Sequence, residues 1–229
     1  MHMKILITGH KGYVGSRLLK RFPEAMVVNG DIMSATLPDT DIIYHLAAYA
    51  SVFESWNRPV DYLENLRTTV RLTHAYPNAK IIHAGTCAAE NPEASPYAFS
   101  KRAAADYLKM YHKNWTNLIF PNIYGDSPRS VVDIFKRKDE LTIWGDGLQV
   151  RDYVHVDDIV EALVWAKDWE SGEYSLGSGK GTTVLELAQA TGKPINYADA
   201  VKEQREAIIP NTTPDWKPTV DVLEYICQK

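Results

Sequence analysis

The sequence predicts an α/β fold: a parallel sheet with helices on both faces, followed by a smaller C-terminal lobe. Three observations predict it. Short apolar runs alternate with helix-length segments over the first half of the chain. A glycine-rich turn joins the first apolar run to the first helical stretch. After Asn122 the texture changes to shorter elements with more Pro and Gly, which divides the chain into residues 1–122 and 123–229, with some later segments returning to the sheet.

In order, Lys4–Thr8 reads as a short buried strand, and Tyr13–Arg21 as the helix after the glycine turn. Ala25–Asn29, Ile42–Leu46, Lys80–His83 and Asn117–Phe120 read as further strands. Val60–Tyr76 and Tyr97–His112 read as helices; in the first, Leu63, Leu66, Val70 and Thr73 recur at helical spacing.

Composition narrows the functional classes. With 229 residues, 45% hydrophobic and 24% charged, the chain is ordinary globular protein, not disordered, collagenous or coiled coil. It is long enough to bury its core without staples. A net charge of -4 and a pI of 6.0 carry no electrostatic footprint for nucleic acid. No apolar run reaches the ~18 residues that span a bilayer, and the N-terminus runs straight into a strand without a signal-peptide pattern. Cys87 and Cys227 are too few for a disulfide framework or a zinc site, and no metal is assigned. The expectation is a soluble cytoplasmic protein with no nucleic-acid or membrane partner.

The glycine turn carries the first chemistry. Thr8-Gly9-His10-Lys11-Gly12-Tyr13-Val14-Gly15 sets three glycines where a strand becomes a helix. Gly9 allows the tight turn, Gly12 lets backbone approach a pyrophosphate, and Gly15 lets the helix pack on the sheet. The helix N-terminus adds N–H donors and a positive dipole end. Asp31 follows the next strand at about the offset of an acid that binds an adenosine ribose, which favours NAD. Lys11 offers a partner for a 2′-phosphate and keeps NADP open.

Tyr97 and Lys101 stand four residues apart, on one face of a helix. An ammonium beside a phenol favours the phenolate and tunes it for acid–base work. Thr86 ends the Lys80–His83 strand after Ala84-Gly85, at the carboxyl edge of the sheet, where open α/β sheets bind ligands. Thr86, Tyr97 and Lys101 after a glycine fingerprint form a hydride-transfer constellation.

At this point the sequence resembles the extended short-chain dehydrogenase/reductases that act on nucleotide sugars. The matching motifs are Thr8–Gly15, Tyr97–Lys101, His45-Leu46-Ala47-Ala48, Asn122-Ile123-Tyr124-Gly125, Trp144-Gly145-Asp146-Gly147, Arg151–Asp158 and Ser175–Gly179. They follow the family's order and cover nearly the whole chain. The resemblance implies a Rossmann-type NAD(P)-binding domain over 1–122 and a lobe for a nucleoside diphosphate sugar over 123–229. It implies cofactor contacts from Gly9, Lys11, Gly12, Tyr13, Val14 and Gly15 in the turn, and from Asp31, Ile32, Leu46, Ala47, Ala48, Tyr97 and Lys101 beyond it. Tyr97 would be the acid/base, Lys101 would bind the nicotinamide ribose and Thr86 would bond the reacting sugar hydroxyl. Ser51, Asn122, Arg151 and Arg205 match substrate-side positions. The helices Val60–Tyr76 and Tyr97–His112 match those that pair in family homodimers, although Arg67, Arg71, Lys109 and Lys113 lie among them.

The departures are informative. The chain is short for the family, with one strand where two strands and a helix are usual before Ile42. Asp31 therefore matches either the ribose-binding acid or a later Gly-Asp that contacts adenine, since Gly30-Asp31-Ile32 fits both. Dehydratases and decarboxylases of the family carry carboxylates next to the catalytic Thr; Cys87 and Ala88 stand here instead, which argues against both reactions. Cys87 reads as a small buried residue, His45 and His83 as packing residues, His155 as structural, and the six tryptophans as core and lobe packing. The reading is a nucleoside diphosphate sugar 4-epimerase with bound NAD. Its rivals are an NAD(P)H-dependent reductase of a 4-keto nucleotide sugar and a non-catalytic dinucleotide-binding protein.

Overall fold

The structure is a computed structural model that describes residues 3–199 and 206–228. Its chain forms two compact units, Met1–Ile119 with Val160–Tyr174, and Phe120–Ile159 with Ser175–Lys229.

The first unit contains β1 (Ile5–Thr8), α1 (Tyr13–Arg21), β2 (Met26–Val27), β3 (Ile42–His45), α2 (Val52–Asn57), α3 (Glu64–Ala75), β4 (Lys80–Thr86), α4 (Pro96–Tyr111) and β5 (Trp115–Phe120). The sheet runs Gly172–Ser175, β5, β4, β3, β1, β2. β1 pairs in parallel with β2 and β3, and β3 with β4. All four residues of β3 and the first four of β4 are buried. Successive side chains of a strand point to opposite faces, so an unbroken buried run means that both faces are covered. On one face Leu6, Ile43 and Ile81 of the sheet pack with Leu72 of α3 and Leu108 of α4.

The chain leaves β1 for β2 on one side and reaches β3 on the other, so the switch point of the sheet lies at the carboxyl ends of β1 and β3. The strand expected over Ala25–Asn29 shrinks to two residues, and β2 is the last strand on its side. The deletion read in the sequence thus falls at a sheet edge, where a lost strand costs one ladder and no central pairing.

Local chemistry explains where the helices start. Ser95 Oγ accepts from Ala98 N at 3.1 Å and Pro96 takes the first helical position of α4. The helix expected from Val60 begins as a 3₁₀ turn, Asp61–Leu63, and becomes α3 at Glu64. That tighter turn carries Tyr62 inside and leaves Leu63 exposed. The buried face of α3 is Asn65, Thr69, Leu72 and Thr73; of the expected stripe Leu63, Leu66, Val70 and Thr73, only Thr73 lies on it. Polar side chains take that face because each finds a buried hydrogen-bond partner: Thr69 and Thr73 bond to carbonyls one turn back.

The second unit packs the helices Val131–Arg137, Val184–Ala190 and Val222–Cys227 around Tyr124, Phe135, Leu141, Ile143, Leu187 and Ile226. Its acidic motif residues bind loops together. Asp152, fully buried, accepts from Ser178 N, Ser178 Oγ, Gly179 N and Ile209 N at 2.7–3.2 Å. Asp158 accepts from Thr219 N, Thr219 Oγ1 and Val220 N. His155 packs against Tyr124 and Tyr225.

The tryptophans do not all pack inside. Trp169 and Trp216 are buried, but Trp56, Trp144 and Trp165 are exposed. Burial alternates along Leu141–Trp144, which puts Trp144 on the solvent side of its strand. No helix among the described residues is long and apolar enough to cross a membrane.

Candidate active site

The glycine turn is built as its spacing demands. Gly9 has φ +72°, and a Cβ there would sit 2.6 Å from Ala47 N. A Cβ on Gly15 would sit 2.1 Å from Gly9 O. Gly12 is the N-cap of α1; no side chain caps it and the first turn carries no acid. That leaves the helix end suited to an anion. Beside the turn, His45 is buried between Thr8 Oγ1 (2.9 Å from Nδ1) and Thr69 Oγ1 (3.2 Å from Nε2), and Ala47 N donates to Thr8 Oγ1. Burial, then the Lys101 charge, pushes His45 down to about 3, so the ring is neutral. His45 thus joins the ends of β1 and β3 and is more than packing.

A cleft of about 780 Å³ opens at this switch point. It brings together Gly9, Lys11 and Gly12 from the turn, Asp31 and Ile32, and Leu46, Ala47 and Ala48 after β3. Tyr13, Val14 and Gly15 form the first turn of α1 behind them, and Arg17 stacks on the Tyr13 ring at 4.5 Å. Asp31 is exposed and accepts from Met33 N at 2.9 Å. Its loop is held by Arg71, which donates to Met33 O and to Ala35 O. Arg71 is therefore spent on the cleft wall and does not sit on an outer helix face. An anion-seeking helix end, an exposed carboxylate and a glycine floor fit a dinucleotide.

α4 carries the acid–base pair. Lys101 is 4% exposed, and burial lowers its amine to about 7. Tyr97 is half-buried, and desolvation pushes its phenol up to about 12, opposed by a hydrogen bond from Thr86. Thr86 ends β4, and its Oγ1 accepts from Ala88 N at 3.3 Å. Cys87 is half-buried, not enclosed, because it opens the short turn after β4.

Three side chains at this site escaped the sequence reading. Asn65 ties α3 to Tyr49 and Ser100. His83, read as packing, has Nε2 3.2 Å from Lys101 Nζ. Asn117 Oδ1 stands 2.7 Å from His83 Nδ1. The one available signal was the recurrence of Asn65, Thr69 and Thr73 at helical spacing, polar residues on what proves to be the buried face.

The substrate-side positions fall in different places. Ser51 caps α2, its Oγ accepting from Glu54 N at 3.2 Å. In the second unit, Asn122 Nδ2 donates to Asp152 O at 3.3 Å, and Arg151 Nη1 donates to Val150 O at 2.8 Å. Arg205 lies outside the described residues.

With this geometry in hand, likeness to known proteins is decisive. Residues 27–177 match the NAD dependent epimerase/dehydratase family. The chain belongs to that family. It is 29% identical to the UDP-glucose 4-epimerase of Mycolicibacterium smegmatis, over 99% of this chain and 97% of that one. It is 27% identical to a putative UDP-glucose 4-epimerase of Methanocaldococcus jannaschii, over 97% and 95%. The crystal structure of UDP-glucose 4-epimerase from Thermotoga maritima with UDP-glucose matches with a TM-score of 0.85 and 26% identity, over 98% of this chain and 96% of that one. The Thermus thermophilus UDP-glucose 4-epimerase in complex with NAD matches with a TM-score of 0.80 and 26% identity, over 98% and 97%. The alignment with the M. smegmatis protein runs over 306 positions against 229 residues here, so gaps inside this chain account for much of its shortness.

Proposed function

We infer that the protein is an NAD-dependent nucleoside diphosphate sugar 4-epimerase that works through a transient 4-keto sugar. The observation that carries this reading is the acid–base pair Tyr97 and Lys101 on α4, with Thr86 at the end of β4, in the same unit as a cleft fit for a dinucleotide. The names of the relatives support the substrate class.

Burial alone holds Tyr97 as a neutral phenol. A charged Lys101 one helical turn away favours the phenolate. Tyr97 Oη, as phenolate, takes the proton of the C4 hydroxyl and later returns it. Thr86 bonds both the phenol oxygen and the reacting hydroxyl, which orients the two. NAD, when bound, supplies reversible acceptance of the C4 hydride. Proton and hydride are both given back, so the net change is inversion at C4. Cys87 and Ala88 offer no carboxylate for elimination or decarboxylation.

In this reading the first unit is the cofactor-binding domain, with Asp31 on the adenosine and the glycine turn on the pyrophosphate. The second is the substrate lobe, with Asn122, Arg151 and Arg205 assigned to the diphosphate, and Ser51 of the first unit is assigned to the substrate. The working form is a cytoplasmic homodimer. Exposed Phe99, Met110 and Tyr111 on α4 support self-association.

The test is proton NMR of UDP-galactose, UDP-glucose and their N-acetyl forms incubated with enzyme and catalytic NAD. The expected result is conversion to the C4 epimer with no net change in nicotinamide absorbance. Tyr97→Phe should retain cofactor and lose on the order of 10²–10⁴ in turnover. Full turnover in that variant, or one cofactor consumed per product, would overturn the reading.

A further inference from the structure

Behind Lys101 runs a chain of polar groups that the reaction above leaves unused. Lys101 Nζ lies 3.2 Å from His83 Nε2, His83 Nδ1 lies 2.7 Å from Asn117 Oδ1, and Asn117 Nδ2 donates to Glu173 Oε2 at 2.9 Å. Lys101, His83 and Asn117 are all buried. They come from α4, β4 and β5, and Glu173 from the adjacent edge strand Gly172–Ser175, so the chain of bonds steps across the sheet strand by strand. Gly85 makes room for it, since a Cβ there would sit 2.7 Å from Asn117 Oδ1.

The direction of this chain is determined at its outer end. Glu173 is exposed to water and, ionised, can only accept. Asn117 must therefore turn its NH₂ to Glu173 and its carbonyl oxygen to His83. A carbonyl oxygen only accepts, so His83 carries its proton on Nδ1 and presents the Nε2 lone pair to Lys101. An ammonium has donors and no acceptor, which completes the match.

We propose that His83 is a positioning residue for the reaction: its Nε2 aims the Lys101 ammonium and helps keep it charged, with Asn117 and Glu173 selecting the tautomer that can accept. The proposal rests on the role given to Lys101 above. Among the described residues no carboxylate pairs with Lys101, and burial alone draws its amine to about 7. A neutral acceptor favours the charged form, and its removal favours the neutral amine. His83 suits this task because it stays neutral. Burial, then the Lys101 charge, then His45 hold it well below the ordinary histidine range, against the Asn117 bond. The titratable groups around the pair are His45 on β3, with its ring 5.6 Å from that of His83, and Tyr97 on α4. His45 is neutral and turns its nitrogens to Thr8 and Thr69.

The experiment reads the lysine directly, in full-length protein without sugar substrate, with and without NAD. Carbon NMR follows the titration of Lys101 Cε, assigned by its loss in Lys101→Met. In His83→Phe the midpoint should fall by about one unit, and in His83→Gln, whose amide oxygen can accept, it should return to within a few tenths of wild type. An unmoved midpoint in His83→Phe overturns the proposal. Should that variant not fold, the wild-type histidine nitrogen spectrum decides: a neutral Nδ1–H tautomer at His83 supports the proposal, and an Nε2–H tautomer or an imidazolium overturns it. In turnover, His83→Phe should lose about tenfold or more in kcat with KM for the sugar nucleotide unchanged, and the alkaline limb of its pH profile should move to lower pH. A wild-type enzyme that epimerises no sugar nucleotide would sink the proposed function yet leave the titration result standing, so the two failures are distinguishable.

Discussion

Asn65 Nδ2 on α3 donates to Ser100 Oγ on α4 at 3.0 Å, and the same side chain takes both backbone groups of Tyr49, at 3.1 Å from its O and 2.9 Å from its N. Ser100 stands next to Lys101, and Tyr49 and Asn65 line the cleft. One buried amide therefore couples the cleft wall to the helix that carries the acid–base pair.

Asn65→Ala should leave these groups without their partner and destabilise the fold by about 1–3 kcal/mol. Urea unfolding would measure it, and cofactor titration should report weaker binding. Wild-type stability in the variant would mean that the three bonds are not made in solution.

Lys101→Met should raise stability while abolishing turnover. A lysine whose amine lies near 7 when folded and at 10.5 when unfolded binds fewer protons in the folded state between those values. The folded protein therefore bears the full cost of charge burial below pH 7, and the cost fades as pH rises toward 10.5. The gain from Lys101→Met, a few kcal/mol in order of magnitude, should be largest below pH 7 and shrink as pH rises through that window. Thermal melts across pH test both the sign and the trend.

Asp31→Ser removes an exposed carboxylate from the cleft. NAD affinity should fall by roughly ten- to a hundredfold, the value of one charged hydrogen-bond acceptor. NADP, with its 2′-phosphate now beside Lys11 alone, should bind better than it does to wild type. Calorimetric titration with both cofactors measures the exchange, and an unchanged preference would move Asp31 away from the ribose.

Asp152→Ala strips four donors of one acceptor in a fully buried place. The cost should exceed about 3 kcal/mol. Limited proteolysis should then cut the Ser178–Gly179 loop first.

Light scattering at micromolar concentration should give the mass of two chains. Phe99→Glu, which charges an exposed apolar side chain of α4, should shift it toward one. A wild-type monomer would overturn the dimer.

Much of the site was legible because its signals are local. A turn that needs φ +72° at Gly9 and backbone contact at Gly15 leaves only glycine as a solution, so spacing reveals it. Tyr97 and Lys101 share a face because they stand one helical turn apart. Strand β4 runs to Thr86 as the spacing implies, although only Lys80–His83 is marked as a strand by an unbroken buried run. On α3 only Thr73 of the expected stripe lies inside. Leu63 and Leu66 look like core, but Asn65 and Thr69 are inside because partners there satisfy them.

What the sequence determined by itself is the order of elements, the glycine turn, the strand-end threonine and the Tyr97–Lys101 pair, all products of neighbours within a few residues of each other. The tertiary structure alone decided which groups surround that pair. His83 lies opposite His45 in the β3–β4 register, one strand from Asn117, and Glu173 is 56 residues further along the chain. A histidine in an apolar strand looks the same whether it fills space or accepts a hydrogen bond from a lysine. The difference is made by which strand lies beside it, because a hydrogen bond depends on distance in space and not on distance along the chain.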